Sequence, residues 1–248
     1  MIRIQRAAER YPGGDPAAGI ETRHALSFGP HYDPDNLRFG ALLACNEERL
    51  APGAGFDEHP HSHTEIVTWV VEGELTHHDT AGHTTVVRPG DLQRLSSAGG
   101  VRHVERNDGD VPLVFVQMWL APLSPGGEPA YEVVRGTGAS GTSYDLPAAD
   151  ARLHVHRAAA GGGIPVPAAD HAYVHVVRGT VALDGGEPDG ADGAGGQPPG
   201  RGADGTGEEP LGPGDAVRLT GCGDRTLVAT TGAEVLVWEM RDWRRALG

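Results

Sequence analysis

The residues with the plainest chemical potential lie in two short stretches, His59-Pro-His61-Ser-His63-Thr-Glu65 and Gly99-Gly-Val-Arg-His103-Val-Glu105. Side chains two apart on a β-strand point to the same face. His59 and His61 therefore form one candidate pair of donors, and His103 with Glu105 forms a second. Two such pairs on neighbouring strands aim three imidazoles and one carboxylate at a single point. That donor set suits a mononuclear transition-metal centre with open positions, able to act on O2 or on a chelating substrate. The metal-free alternative is a hydrogen-bonded polar cluster. Stacking three histidines and a glutamate on one inner face without a cation buries costly polar groups, so we adopt the metal reading.

The remaining histidines carry blander readings. His63 shares the parity of His59 and His61 and is taken as a rim residue. His77, His78 and His83 flank the turn at 79–82 and are expected to be exposed hairpin histidines. His154 and His156 have ligand spacing, but with His171 and His175 they are assigned structural or surface roles.

The elements that must position the site are short β-patterned runs separated by turn signals: Arg38–Ala44, Ile66–Glu72, Glu74–His78, Thr84–Val87, Leu113–Leu120, Ala172–Val177, Ala216–Leu219, Leu227–Thr230 and Val235–Met240. Such spacing points to a sandwich or barrel. No long amphipathic helix is evident, and 241–247 is the one short helix expected. The abundance of Gly (38) and Pro (19) fits many tight turns.

An internal repeat is visible. Val70-Val-Glu-Gly73-Glu-Leu75 matches Val176-Val-Arg-Gly179-Thr-Val181, and Pro89-Gly90-Asp91 with its following strand matches Pro213-Gly214-Asp215 with its own. Two copies of one β unit imply tandem domains, drawn at 1–132 and 133–248 with a linker within Pro122–Pro147. Extending the alignment puts Pro165, Pro167, Leu227 and Ala229 where the first copy has His59, His61, His103 and Glu105. The second copy is thus expected to be a degenerate unit without metal ligands. Residues 185–209 are Gly-, Pro- and Asp-rich without periodicity and read as a disordered hairpin insertion; an acidic partner-binding loop is the alternative.

A net charge of −14 argues against direct nucleic-acid binding. No apolar run is long enough to span a membrane, and the N-terminal residues lack the apolar core of a signal peptide. Two cysteines, Cys45 and Cys222, suit a reduced compartment. Together these place the chain in the cytoplasm as an expectation.

Gly-x5-His-x-His-x3-Glu at Gly53–Glu65, Gly-Asp-x-Gln at Gly90–Gln93 and Ala-Gly-Gly-x-x-His-x-Glu at Ala98–Glu105 resemble the two cupin motifs as they occur in the pirin family. Upstream, Arg23-His-Ala-Leu-Ser-Phe-Gly, where His24 lies, the stretch from Tyr32 to Gly40 just beyond His31, and the run Asn46–Phe56 are also similar to that family. Gln117-Met-Trp-Leu and Glu128–Glu132 continue the match. The resemblance covers about residues 2–132 and is weaker beyond. It implies an all-β bicupin, two tandem cupin barrels or jelly rolls, with one divalent metal in the N-terminal unit. The metal is commonly Fe(II); Mn, Ni, Co, Cu and Zn would also suit the donors. By position the ligands become His59, His61, His103 and Glu105. Glu65 follows His61 after three residues, where many cupins have four. An odd shift reverses the direction of a strand side chain, so Glu65 is assigned to the surroundings, orienting an imidazole N–H. The resemblance further implies quercetin 2,3-dioxygenase-like ring cleavage of a flavonol or related enolic or phenolic substrate with O2. Glu105 would then be ligand and base, and Phe56 and Met118 an apolar wall. The alternative is a non-catalytic, iron-dependent redox sensor acting through a protein partner.

Overall fold

A computed structural model describes residues 1–137, 140–183 and 210–242. The expected insertion at 185–209 and nearly all of the short helix expected at 241–247 lie outside these residues. In the first half the strands are β1 (Ile2–Gln5), β2 (Tyr11–Asp15), β3 (Ile20–His24), β4 (Leu42–Leu50), β5 (Gly55–His61), β6 (Glu65–Glu72), β7 (Leu75–Asp79), β8 (Thr84–Val87), β9 (Leu92–Ser96), β10 (Val101–Arg106), β11 (Leu113–Leu120) and β12 (Ala130–Val134). In the second they are β13 (Thr142–Leu146), β14 (Ala151–Ala158), β15 (Gly163–Val166), β16 (Ala169–Arg178), β17 (Val181–Leu183), β18 (Ala216–Cys222), β19 (Arg225–Ala229) and β20 (Ala233–Met240). Helical structure among the described residues is limited to short 3-10 turns.

The strands form an all-β bicupin of four sheets. A four-stranded sheet, β5-β10-β7-β8, faces a seven-stranded sheet, β12-β9-β6-β11-β4-β3-β2; a six-stranded sheet, β1-β18-β16-β20-β14-β13, faces a three-stranded one, β15-β19-β17. The two large sheets pack back to back. Trp69, Met118, Tyr173 and Trp238 belong to the one apolar cluster between them. Strands β6 and β20 are therefore covered on both faces, which is why their sequences read as nearly unbroken apolar runs rather than alternating ones. Both indoles in this layer are paired: that of Trp238 donates to Met118 Sδ at 3.0 Å and that of Trp69 to Glu234 at 2.8 Å.

The repeat goes deeper than its sequence signal. Gly90 and Gly214 take matching left-handed φ values of 84° and 83° in the two Pro-Gly-Asp turns, the conformation that glycine adopts without steric cost. Each Asp of those turns is held by an arginine and the next backbone N–H. Arg135 and Gly136 bind Asp91 at 2.6 and 3.1 Å, and Arg6 and Ala7 bind Asp215 at 2.9 and 2.7 Å. Strand β12 lies beside β9 as β1 lies beside β18. The N-terminal strand thus joins the second-half sheet. The boundary drawn at 132 falls within β12, and the expected linker Pro122–Pro147 contains both β12 and β13.

One detail of the repeat alignment is corrected. Pro165 is exposed, and Ile164 and Val166 face the second core. The alignment is one residue out of phase along β15, and a one-residue slip exchanges the two faces of a strand. Leu227 and Ala229 do face that core. The run expected at Arg38–Ala44 starts as a strand only at Leu42, following a short Phe39–Leu42 bridge.

Candidate metal centre

The small sheet of the first half supplies the imidazoles. Strand β5 is an edge strand, which tolerates Pro60 because its missing N–H interrupts no internal ladder. His59 pairs directly with His103 of β10, and the ladder then slips so that Glu105 pairs with Phe56. The irregularity places Asp57 and Glu58 opposite Val104 alone, a bulge of the kind that re-aims a neighbouring side chain. The Asp57 carbonyl accepts from His59 Nδ1 at 2.7 Å. A carbonyl cannot donate, so the proton sits on Nδ1 and His59 Nε2 is a bare lone pair.

That lone pair lies 3.0 Å from His103 Nε2. His61 Nε2 is buried with no hydrogen-bond partner. Donor atoms of His59, His61 and His103 all lie within 4.8 Å of one another. Three imidazoles that converge in this way, His59 and His103 meeting through their Nε2 atoms and His61 Nε2 left without a partner, fit a divalent cation. Their protonation state fits as well. Burial, with the charges of His103 and His59 adding, pushes His61 down to about 4, and burial likewise lowers His103. Both rings are neutral at pH 7, the form that ligates.

Glu105 is fully buried and forms a second such group with His103 and His77, so His103 is common to both. Gln93 of β9 and Gln117 of β11 donate to its two carboxylate oxygens at 3.3 and 2.8 Å. Burial alone would raise its pKa, but His103, the Gln117 amide and His77 hold it below the usual carboxylate range. Gln117 Oε1 in turn accepts from the Trp119 indole at 2.9 Å, and the Trp119 ring stands edge-on to His61 at 4.8 Å. Tyr131 donates to Gln93 Oε1 at 3.1 Å.

Several expectations change here. His77 is completely buried, stacked on Tyr131 at 4.4 Å, and not an exposed hairpin residue. It shares the inward face of β7 with Leu75. His78 is exposed as expected, and the His83 side chain is 39% exposed. Glu65 is buried but binds Arg94 at 2.8 Å and Ser96 at 2.7 Å, with no imidazole among its partners. Its place at the start of β6 points it into the large sheet. Met118 faces the layer between the two large sheets, so it forms no wall of the centre; its neighbours in β11, Gln117 and Trp119, have the opposite parity. Phe56 stands 6.2 Å from His59. His63 is exposed at a left-handed φ of 55°, past the end of β5. His154 pairs with Glu239, and His175 with Arg10 and Glu47. His24 stacks on Phe28 and His31 on Tyr11.

Gln93, Gln117 and His77 are the site residues to which sequence reasoning assigned no role. The available signal was parity: Gln93 and Gln117 are polar residues at inward positions of strands whose other inward positions are apolar, and His77 shares its face with Leu75 and Asp79.

Comparison with known proteins fits this geometry. The Pirin family model matches residues 4–120. A Mycobacterium tuberculosis protein named as a candidate quercetin 2,3-dioxygenase is 38% identical over 96% of this chain and 95% of its own length. The chain belongs to the pirin family. An Escherichia coli K12 protein named quercetin 2,3-dioxygenase is 31% identical over 78% of this chain and 88% of its own. Among solved structures, the bacterial pirin YhhW from Escherichia coli in complex with nickel(II) superposes with a TM-score of 0.80 at 25% identity, covering 97% of this chain and 99% of that one.

Proposed function

We propose that this pirin is a metal-dependent dioxygenase, with non-haem Fe(II) held by His59, His61, His103 and Glu105, that opens the heterocycle of a flavonol or related enolic substrate. The observation that carries the reading is the convergence of three imidazoles on one point, beside a buried carboxylate. The names of its relatives support the reaction class.

The metal, when bound, supplies a Lewis-acidic centre that acidifies a phenolic or enolic hydroxyl. The protein's part is proton handling and exclusion of water. Glu105 lies below the ordinary carboxylate range, which makes it a poor base toward an ordinary phenol at about 10. It accepts a proton only from a hydroxyl already acidified. Gln93 and Gln117 hold its two oxygens in place. Trp119 fixes Gln117 and lies against His61, offering a flat aromatic surface at the edge of the centre.

The test is aerobic loss of flavonol absorbance with Fe(II)-loaded protein, together with detection of released carbon monoxide. Turnover that disappears in Glu105→Gln supports the reading. No loss of flavonol at full metal loading overturns it and leaves the iron-dependent sensor with a protein partner as the reading to pursue.

A further inference from the structure

His77 lies in the middle of the metal-bearing sheet and takes no part in the chemistry above. It is paired across the ladder with Glu105 and has no solvent exposure. Its Nε2 lies 3.0 Å from Asp79 Oδ2. Asp79 also receives the His83 backbone N–H and ring, at 3.0 and 2.9 Å. These hydrogen bonds hold its carboxyl below the usual range against burial. A carboxylate only accepts, so His77 Nε2 is the donor to Asp79, and in the neutral ring Nδ1 is then an acceptor. That nitrogen is buried and has no partner.

His103 presents the complementary defect. Its Nε2 faces His59 and the third imidazole, so a cation there leaves the ring proton on Nδ1. His103 Nδ1 is also buried and without a partner. One ring thus has a buried donor lacking an acceptor, and its neighbour a buried acceptor lacking a donor. The ring centroids are 5.4 Å apart and the planes tilted by 57°. Two imidazoles joined nitrogen to nitrogen at about 3 Å have centroids about 5 Å apart, a spacing close to the one these rings have. The Glu105 oxygens already accept from Gln93 and Gln117. Tyr131, stacked at 4.4 Å, fixes the His77 ring plane.

We propose that His77 is a positioning residue for the metal centre: in the loaded protein its Nδ1 accepts the His103 Nδ1 proton, giving a continuous chain from metal to His103, His77 and Asp79. Such a chain fixes the ligand ring's orientation and strengthens it as a donor. The inference rests on the metal reading but not on the dioxygenase reading, and it is tested without turnover.

Metal affinity of His77→Leu and His77→Asn is measured by chelator competition with Zn(II), alongside the melting temperature of the metal-free proteins. The Leu variant is expected to bind about 10–100-fold more weakly, a loss read separately from any drop in metal-free melting temperature caused by removing the donor to Asp79. The Asn variant, whose amide oxygen can stand in for Nδ1, should stay within roughly threefold. Nitrogen NMR of the Zn(II)-loaded wild type should show His77 Nδ1 as a hydrogen-bond acceptor not bonded to metal. Wild-type affinity in His77→Leu overturns the proposal. So does a loss of stability without loss of affinity, or a His77 Nδ1 bound directly to zinc.

Discussion

Glu48 allows a quantitative prediction. Its side chain points from β4 into the first barrel and is only 4% exposed. Burial pushes its pKa from 4.5 up to about 8; the Thr22 hydroxyl opposes this and the negative charge of Glu105 adds to it. The folded carboxyl is therefore protonated at neutral pH while the unfolded one is ionised. With the folded pKa raised, the group costs nothing below 4.5, and stability is lost as pH rises from there toward 8. Each pH unit in that window costs about 1.4 kcal/mol, or about 3 kcal/mol at pH 7. Glu48→Gln keeps the shape and a partner for Thr22 but cannot ionise. In metal-free protein the variant should match wild type near pH 4.5. At pH 7 it should be more stable by about 3 kcal/mol, a rise of roughly 6–12 °C in melting temperature for a chain of this size. Calorimetry across pH 4.5–8 reads the difference. A gap that does not widen with pH, or a variant less stable at pH 7, would refute the reasoning.

Two further predictions concern buried groups. Gln117→Leu strips the 2.8 Å donor from Glu105 and the acceptor from Trp119; it should destabilise the chain by about 1–3 kcal/mol and weaken metal binding, read by thermal unfolding and metal competition. The Cys45 thiol is wholly buried and pushed up by that burial, whereas Cys222 is partly exposed. A thiol titration of native protein should show one fast-reacting group, and two would contradict the packing.

Much of this was legible because the strand period is simple. The His59/His61 and His103/Glu105 pairs follow from i, i+2 parity, and the turn glycines from the conformation that the Pro-Gly-Asp turns require. What was missed has equally specific causes. His77 flanks a hairpin, a position that reads as exposed, but Tyr131 of β12 covers it, and that contact is set only by long-range pairing. Met118 looked like pocket wall because back-to-back packing makes both faces of β11 apolar. The union of β1 with the second-half sheet has no local signal, since its partners lie at the other end of the chain.

The central claim is one metal ion per chain at His59, His61, His103 and Glu105. Elemental analysis of wild-type protein and of His103→Ala, each reconstituted with Fe(II) under anaerobic conditions and desalted, tests it most directly. The account predicts about one iron per wild-type chain and a near-empty variant that still folds. Equal iron in both proteins would contradict it.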